Sequence, residues 1–247
     1  TYTHENSSAA SDVYKRQPNY IADKKIHLVA ELSNKSPFIN EAVSVTYKLY
    51  VSPDTGVDNW RELEAPRYAN FWSNNIDIKS LNVQNGTYKG EPYRYVVLRR
   101  TLLYPQKTGR LKIEPLTLDI SVQVPSNRRD FFGNLISSSV NKTVSAGSSF
   151  IDVKPLPIDN KPNDFSGAVG DFNFEIKSDK KELLIDEAFQ LSLIISGNGN
   201  FNLFEDPKIS LPSSLEVYEP EKISNVSVRA GGIRGKVNNK FTIVPNM

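Results

Sequence analysis

The stretch INEAVSVTYKLY at residues 39–50 is written again, altered but recognisable, as IDEAFQLSLIIS at 185–196. Setting Glu41-Ala42 on Glu187-Ala188 also aligns Lys35 with Lys181, Ile39 with Ile185 and Asn40 with Asp186. Downstream, Val43, Val45, Tyr47 and Leu49 meet Phe189, Leu191, Leu193 and Ile195. The intervening residues are Ser44, Thr46 and Lys48 in one copy and Gln190, Ser192 and Ile194 in the other. Apolar residues at every second position put one face of a strand in a core. A polar Asn-Glu or Asp-Glu pair before it predicts a turn. A shorter apolar run precedes each copy, at 26–32 and 172–176. The echo continues with LEAPRY (63–68) against FEDPKI (204–209) and LLYP (102–105) against TIVP (242–245). Similar segments in the same order, so far apart, predict the tandem duplication of a whole domain.

The first copy runs on past Pro105. PQKTG (105–109) predicts a turn, with Gly109 free to take positive φ. In RLKIEPLTLDISVQV, Leu116, Leu118, Ile120, Val122 and Val124 alternate with polar residues, and FIDVKPLP supplies a last strand near Pro157. No long segment has a helical period. Short strands, frequent turns and Pro at strand ends predict an all-β fold of tandem immunoglobulin-like β-sandwich domains, the second truncated. The expected divisions are an artefactual or disordered segment 1–23, a first sandwich 24–157, a linker 158–170 and a second, incomplete sandwich 171–247. Phe165, Ala168 and Val169 make the linker apolar enough to pack between the domains.

Both ends of the chain call for comment. SSAASDVYKRQ, within residues 1–17, resembles translated adapter sequence and is set aside from fold reasoning. At the other end, the second copy stops two residues past Pro245, the counterpart of Pro105. Two missing strands, each donating about three core side chains at ~1.5–3 kcal/mol, would carry a stabilisation comparable to a whole domain's ~5–15 kcal/mol. The expectation is a bare sheet edge and a gene product that continues.

Chemistry is sparsely supplied. The chain has no cysteine, which removes disulfides and thiolate sites. Its net charge is +2 with basic residues scattered in pairs, so no nucleic-acid face is expected. The histidines are His4 and His27 alone. His27 opens a strand and reads as a surface or edge residue, not as the base of a triad. No P-loop, G-x-G-x-x-G or H-E-x-x-H occurs. The glycines of ISGNGNFNLF (195–204) read as a turn between two strands. The acidic pairs Glu62/Glu64, Glu205/Asp206 and Glu219/Glu221 lack a metal-loop spacing. The sequons at Asn85, Asn141 and Asn225 have meaning only in a suitable secretory pathway. No catalytic residue, metal or cofactor is therefore expected.

Two stretches exceed background. ANFWSNN (69–75) offers Phe71 and Trp72 either as a buried anchor or as an aromatic partner contact. SNRRDFFGNLISSSVNKTVSAG (126–147), read as a long loop, offers Phe131, Phe132, Leu135 and Ile136 beside Arg128 and Arg129. Long loops with apolar tips are often binding elements. The candidate partner-binding residues are thus Phe71, Trp72, Arg128, Arg129, Phe131, Phe132 and Leu135. Other readings remain open: a carbohydrate-binding or adhesin sandwich using Trp60 or Trp72 as a platform, an accessory domain of a glycan-processing enzyme, or Asp206 completing a partner's metal site.

Several phrases, taken in order from about residue 24 onward, resemble the BatD family of aerotolerance proteins. They are VSVTYKLY, FWSNNIDI, YRYVVLRRTLLYPQKTGRLKIEPL, RRDFFG, IDVKPLP, PNDFSGAVGDF and ISGNGNFNLFEDPKI. The resemblance implies tandem β-sandwiches facing the periplasm, with a secretion signal before them and a membrane anchor after them. It implies as partners the von Willebrand A-domain membrane proteins encoded alongside, with a MoxR-type ATPase. It further implies a non-catalytic role in an envelope complex that supports oxidative-stress tolerance. The family supplies no catalytic residues to carry over. Signal and anchor are both missing from this sequence, as from a fragment, so any tie to the membrane would run through an anchor it does not contain.

Overall fold

A computed structural model describes residues 22–184 and 187–245, the side chains of 125–128 and 135 excepted. The suspected adapter stretch, Ile185 and Asp186 lie outside the described residues. The fold is all-β. In the first unit the strands are β1 (Ile26–Leu32), β2 (Val43–Val51), β3 (Gly56–Glu64), β4 (Phe71–Asn75) and β5 (Gln84–Tyr88). They are followed by β6 (Glu91–Pro105), β7 (Gly109–Ile113), β8 (Thr117–Arg129), β9 (Leu135–Ser145) and β10 (Ser149–Val153). One sheet runs β1-β2-β6-β4, with β5 also on β6, and a second runs β3-β8-β9. A ribbon of β7 and β10 completes the unit.

The period-two text puts one face of each sheet into a shared core. Val43, Val45, Tyr47 and Leu49 of β2 are buried with Leu116, Leu118, Ile120, Val122 and Val124 around β8. The alternating polar residues face away. The predicted turn is present, with Gly109 at φ +94°, a conformation that costs glycine nothing.

The second unit repeats the first sheet. Its strands are β11 (Gly170–Ser178), β12 (Phe189–Gly199), β13 (Leu215–Val217), β14 (Glu221–Arg229) and β15 (Gly232–Pro245). The order β11-β12-β15-β13, with β14 on β15, matches β1-β2-β6-β4 with β5 on β6. Even the register is kept: Ile26 faces Val51 in one ladder and Phe172 faces Gly197 in the other, both members 146 positions on. At the far end Val43 faces Leu103, and Phe189 faces Ile243. One of the six residues by which the second offset is shorter has a local cause. A bulge between Tyr47 and Lys48 takes one extra residue into β6, and the β12–β15 ladder has no bulge.

Among the described residues the second unit has no counterpart of the β3-β8-β9 sheet. Part of its inner face is covered by Ile209, Leu211 and Leu215, which pack on Leu193, Phe241 and Ile243. The edge strand is left bare. Phe174 and Ile176 are 55% and 58% exposed, whereas Leu28, the counterpart of Phe174, is 6% exposed.

Between the units the chain is pinned. Asn200, fully buried, accepts from the Val169 amide (2.7 Å) and donates to the Gly167 carbonyl (2.9 Å). The glycines expected to form a turn lie instead inside β12, and the turn follows at 201–204. They permit close approach: a Cβ on Gly199 would sit 2.4 Å from the Phe172 ring and 2.6 Å from the Val169 carbonyl. No helix among the described residues is long and apolar enough to cross a membrane.

Candidate functional site

The expected loop at 126–147 is a long hairpin. Strands β8 and β9 pair from Thr117/Ser145 up to Arg129/Leu135. Ser- and Asn-rich text concealed a strand, because β9 alternates Val140 and Val144 with polar residues on an open face. The tip is a tight turn built on Asp130. Its carboxylate accepts from the amides of Phe132 (2.9 Å) and Asn134 (2.8 Å), while the Asn134 side chain donates to the other oxygen (3.1 Å). These donors hold the Asp130 carboxyl below its ordinary pKa, the Asn134 contacts foremost. Gly133 takes φ +84°, and its carbonyl accepts from Arg129.

This turn leaves two aromatic rings in water. Phe131 is 98% and Phe132 84% exposed, packed edge to face on each other at 5.6 Å. Neither tucks back onto the sandwich. Exposed phenylalanine pairs cost solubility, and rings presented together are a common anchor for a partner. Arg129 stands beside them, exposed. The side chains of Arg128 and Leu135 lie outside the described residues.

The other aromatic pair is placed differently. Phe71 packs on the core of the first unit. Trp72 turns to the opposite face, 5.6 Å from Tyr104, in a second apolar cluster. That cluster joins Leu102 and Tyr104 to Ile195, Phe201, Ile233 and Val237 of the other unit. The Tyr104 hydroxyl, fully buried, donates to the Gly199 carbonyl (2.7 Å) and accepts from the Ile233 amide (2.9 Å). Burial pushes its pKa up. Both rings of the ANFWSNN stretch therefore serve internal packing, one in the core and one in the junction.

Three of the six paired acids are held by a cation or a hydroxyl. Glu62 takes both of its hydrogen bonds from Arg99 (2.7 and 3.0 Å), Thr117 donates to Glu64 (3.4 Å), and Lys222 holds Asp206 (2.6 Å). No group of three His, Asp or Glu side chains able to hold a metal ion occurs among the described residues. His27 lies half-buried against Tyr88 (ring centroids 4.4 Å) and Tyr93 (5.4 Å), and shares a hydrogen bond with the Tyr93 hydroxyl (3.1 Å). No carboxylate is bonded to its ring in these contacts, and the arrangement is that of a packed aromatic cluster.

Fold and site together define a tandem β-sandwich scaffold: two copies of one sheet, fused through a common apolar junction, with an aromatic-tipped arm on the first. Residues 176–247, from β11 onward, match the family model described as the BatD DUF11 like domain. The match falls on the second unit and supports membership of the BatD family. No curated protein matches it.

Proposed function

We propose that the chain is the partner-binding, periplasmic region of a membrane-anchored BatD-family protein, acting without catalysis in an envelope complex that supports oxidative-stress tolerance. Its partners are von Willebrand A-domain membrane proteins, as the family resemblance implies. The observation that carries the reading is the hairpin tip. Two phenylalanine rings stand in water on a turn ordered by Asp130, an arrangement that core packing does not require. A pre-ordered apolar tip loses little entropy on docking.

The test is a pull-down of the co-encoded von Willebrand A-domain proteins with the Phe131→Ser/Phe132→Ser variant. Loss of two such anchors costs about 1–2 kcal/mol each, so capture should fall roughly tenfold or more. The melting temperature should not change, because neither ring touches the core. Undiminished capture would overturn the assignment of the tip, and capture by the unmodified chain of no such protein would overturn the choice of partner.

A further inference from the structure

At one end of the first sandwich, between β2 and β6 on one side and β3 on the other, lies a cavity of about 430 Å³. Its walls are Leu49, Val51, Val57, Val96 and Leu98. Three large apolar residues left in water, Trp60, Leu81 and Val83, border it. The volume lies in the range of small-molecule sites.

Beside Thr55 and Tyr95, one charged residue interrupts the mostly apolar lining. Arg94 faces Val51 across the β2–β6 ladder, as Val96 faces Leu49, so it occupies an inward position where the alternation calls for an aliphatic side chain. Its Nη2 donates to the carbonyls of Thr55 (2.9 Å) and Pro53 (3.4 Å), which fixes the guanidinium against the cavity wall. Its Nε is buried and has no hydrogen-bond partner among the described residues. A cation inside an apolar slot with a donor unused is costly unless something answers it.

The duplicated unit indicates what such a floor accepts. Leu49 and Val96 correspond in register to Ile195 and Val237. In the second unit those two residues are covered by Leu102 and Tyr104, the latter an apolar body ending in an oxygen that hydrogen-bonds the backbone. In the first unit the corresponding residues border the cavity, and the charged group beside them is a cation.

We propose that this cavity binds a single-chain amphiphile with an anionic head, of the fatty-acid class. The alkyl chain lies along Leu49, Val57, Val96 and Leu98, and the carboxylate pairs with the Arg94 guanidinium at the cavity wall. The proposal goes beyond the partner-binding reading and stands whether or not that reading holds.

Calorimetric titration with dodecanoate, below its micelle-forming concentration, tests it. One molecule should bind per chain. Dodecanol, which has the same chain without the charge, should bind at least roughly tenfold more weakly, the difference expected of one charge-assisted hydrogen bond. Arg94→Met should bring dodecanoate down to the level of dodecanol and should not lower the melting temperature. Val83→Glu, at the exposed rim, should weaken dodecanoate alone, by repulsion. Absence of saturable dodecanoate binding, equal binding of acid and alcohol, or undiminished binding by Arg94→Met would each overturn the proposal.

Discussion

The hydroxyl of Tyr104 lies between two backbone groups of the other unit, the Gly199 carbonyl and the Ile233 amide. Replacing it by Phe leaves both buried and unpaired, at a cost of ~1–3 kcal/mol. Chemical denaturation of Tyr104→Phe measures this, and an unchanged midpoint would mean that the junction contributes nothing to stability. His27 governs a different property. Burial, more than the charge of Lys89, lowers its pKa below 6.5, while its bond to the Lys24 carbonyl opposes the shift. The folded state therefore prefers the neutral ring. The contribution is fully present above the unfolded pKa and is lost as pH falls through the folded value. Between about pH 7.5 and about pH 5 the native chain should lose stability in denaturant titrations, and His27→Phe should flatten that slope. At this scale the sequence was legible for the core and silent for the rest. Alternation alone identified Leu118, Ile120 and Val122 as buried. It could not show that Trp72 turns toward a second unit, because a ring among Ser and Asn reads alike in a junction or on a surface. Nor did it single out Arg94, whose inward position follows only from the strand register.

Among the elements, β1 and β11 are one strand used in two ways. Leu28 and Phe174 occupy the same register position, yet one faces a second sheet and the other faces water. Leu28→Ala should cost about 2–5 kcal/mol, as large-to-small changes in a core do. Phe174→Ser should stay within about 0.5 kcal/mol, as an exposed substitution does. Equal costs in thermal unfolding would refute the asymmetry. The hairpin of β8 and β9 was the element hardest to read. Its polar residues are those of a loop, but a long twisted ribbon needs apolar residues on one face alone, and Val140 and Val144 suffice. The Asp130-to-Asn134 turn was written in the sequence as D-x-x-G-N, a turn signature obscured by the two phenylalanines inside it.

For the molecule as a whole, duplication was legible because strand register survives where residue identity does not. The junction was less so. Leu102-Leu103-Tyr104 is a continuous apolar run within an alternating strand, the mark of a strand covered on both faces. Leu103 enters the core of the first unit, and Leu102 and Tyr104 enter the shared cluster. Two units fused in this way should not melt independently. Calorimetry should record a single transition, and Tyr104→Phe should begin to separate it into two. A further consequence concerns the linker. With Asn200 fixing Gly167 and Val169 to the second unit and Tyr104 bonded directly across the junction, the two copies are not joined through a swivel alone. A tug on the phenylalanine-tipped arm would then be relayed straight through to the far sheet, as along a strut, and would not be absorbed at a joint.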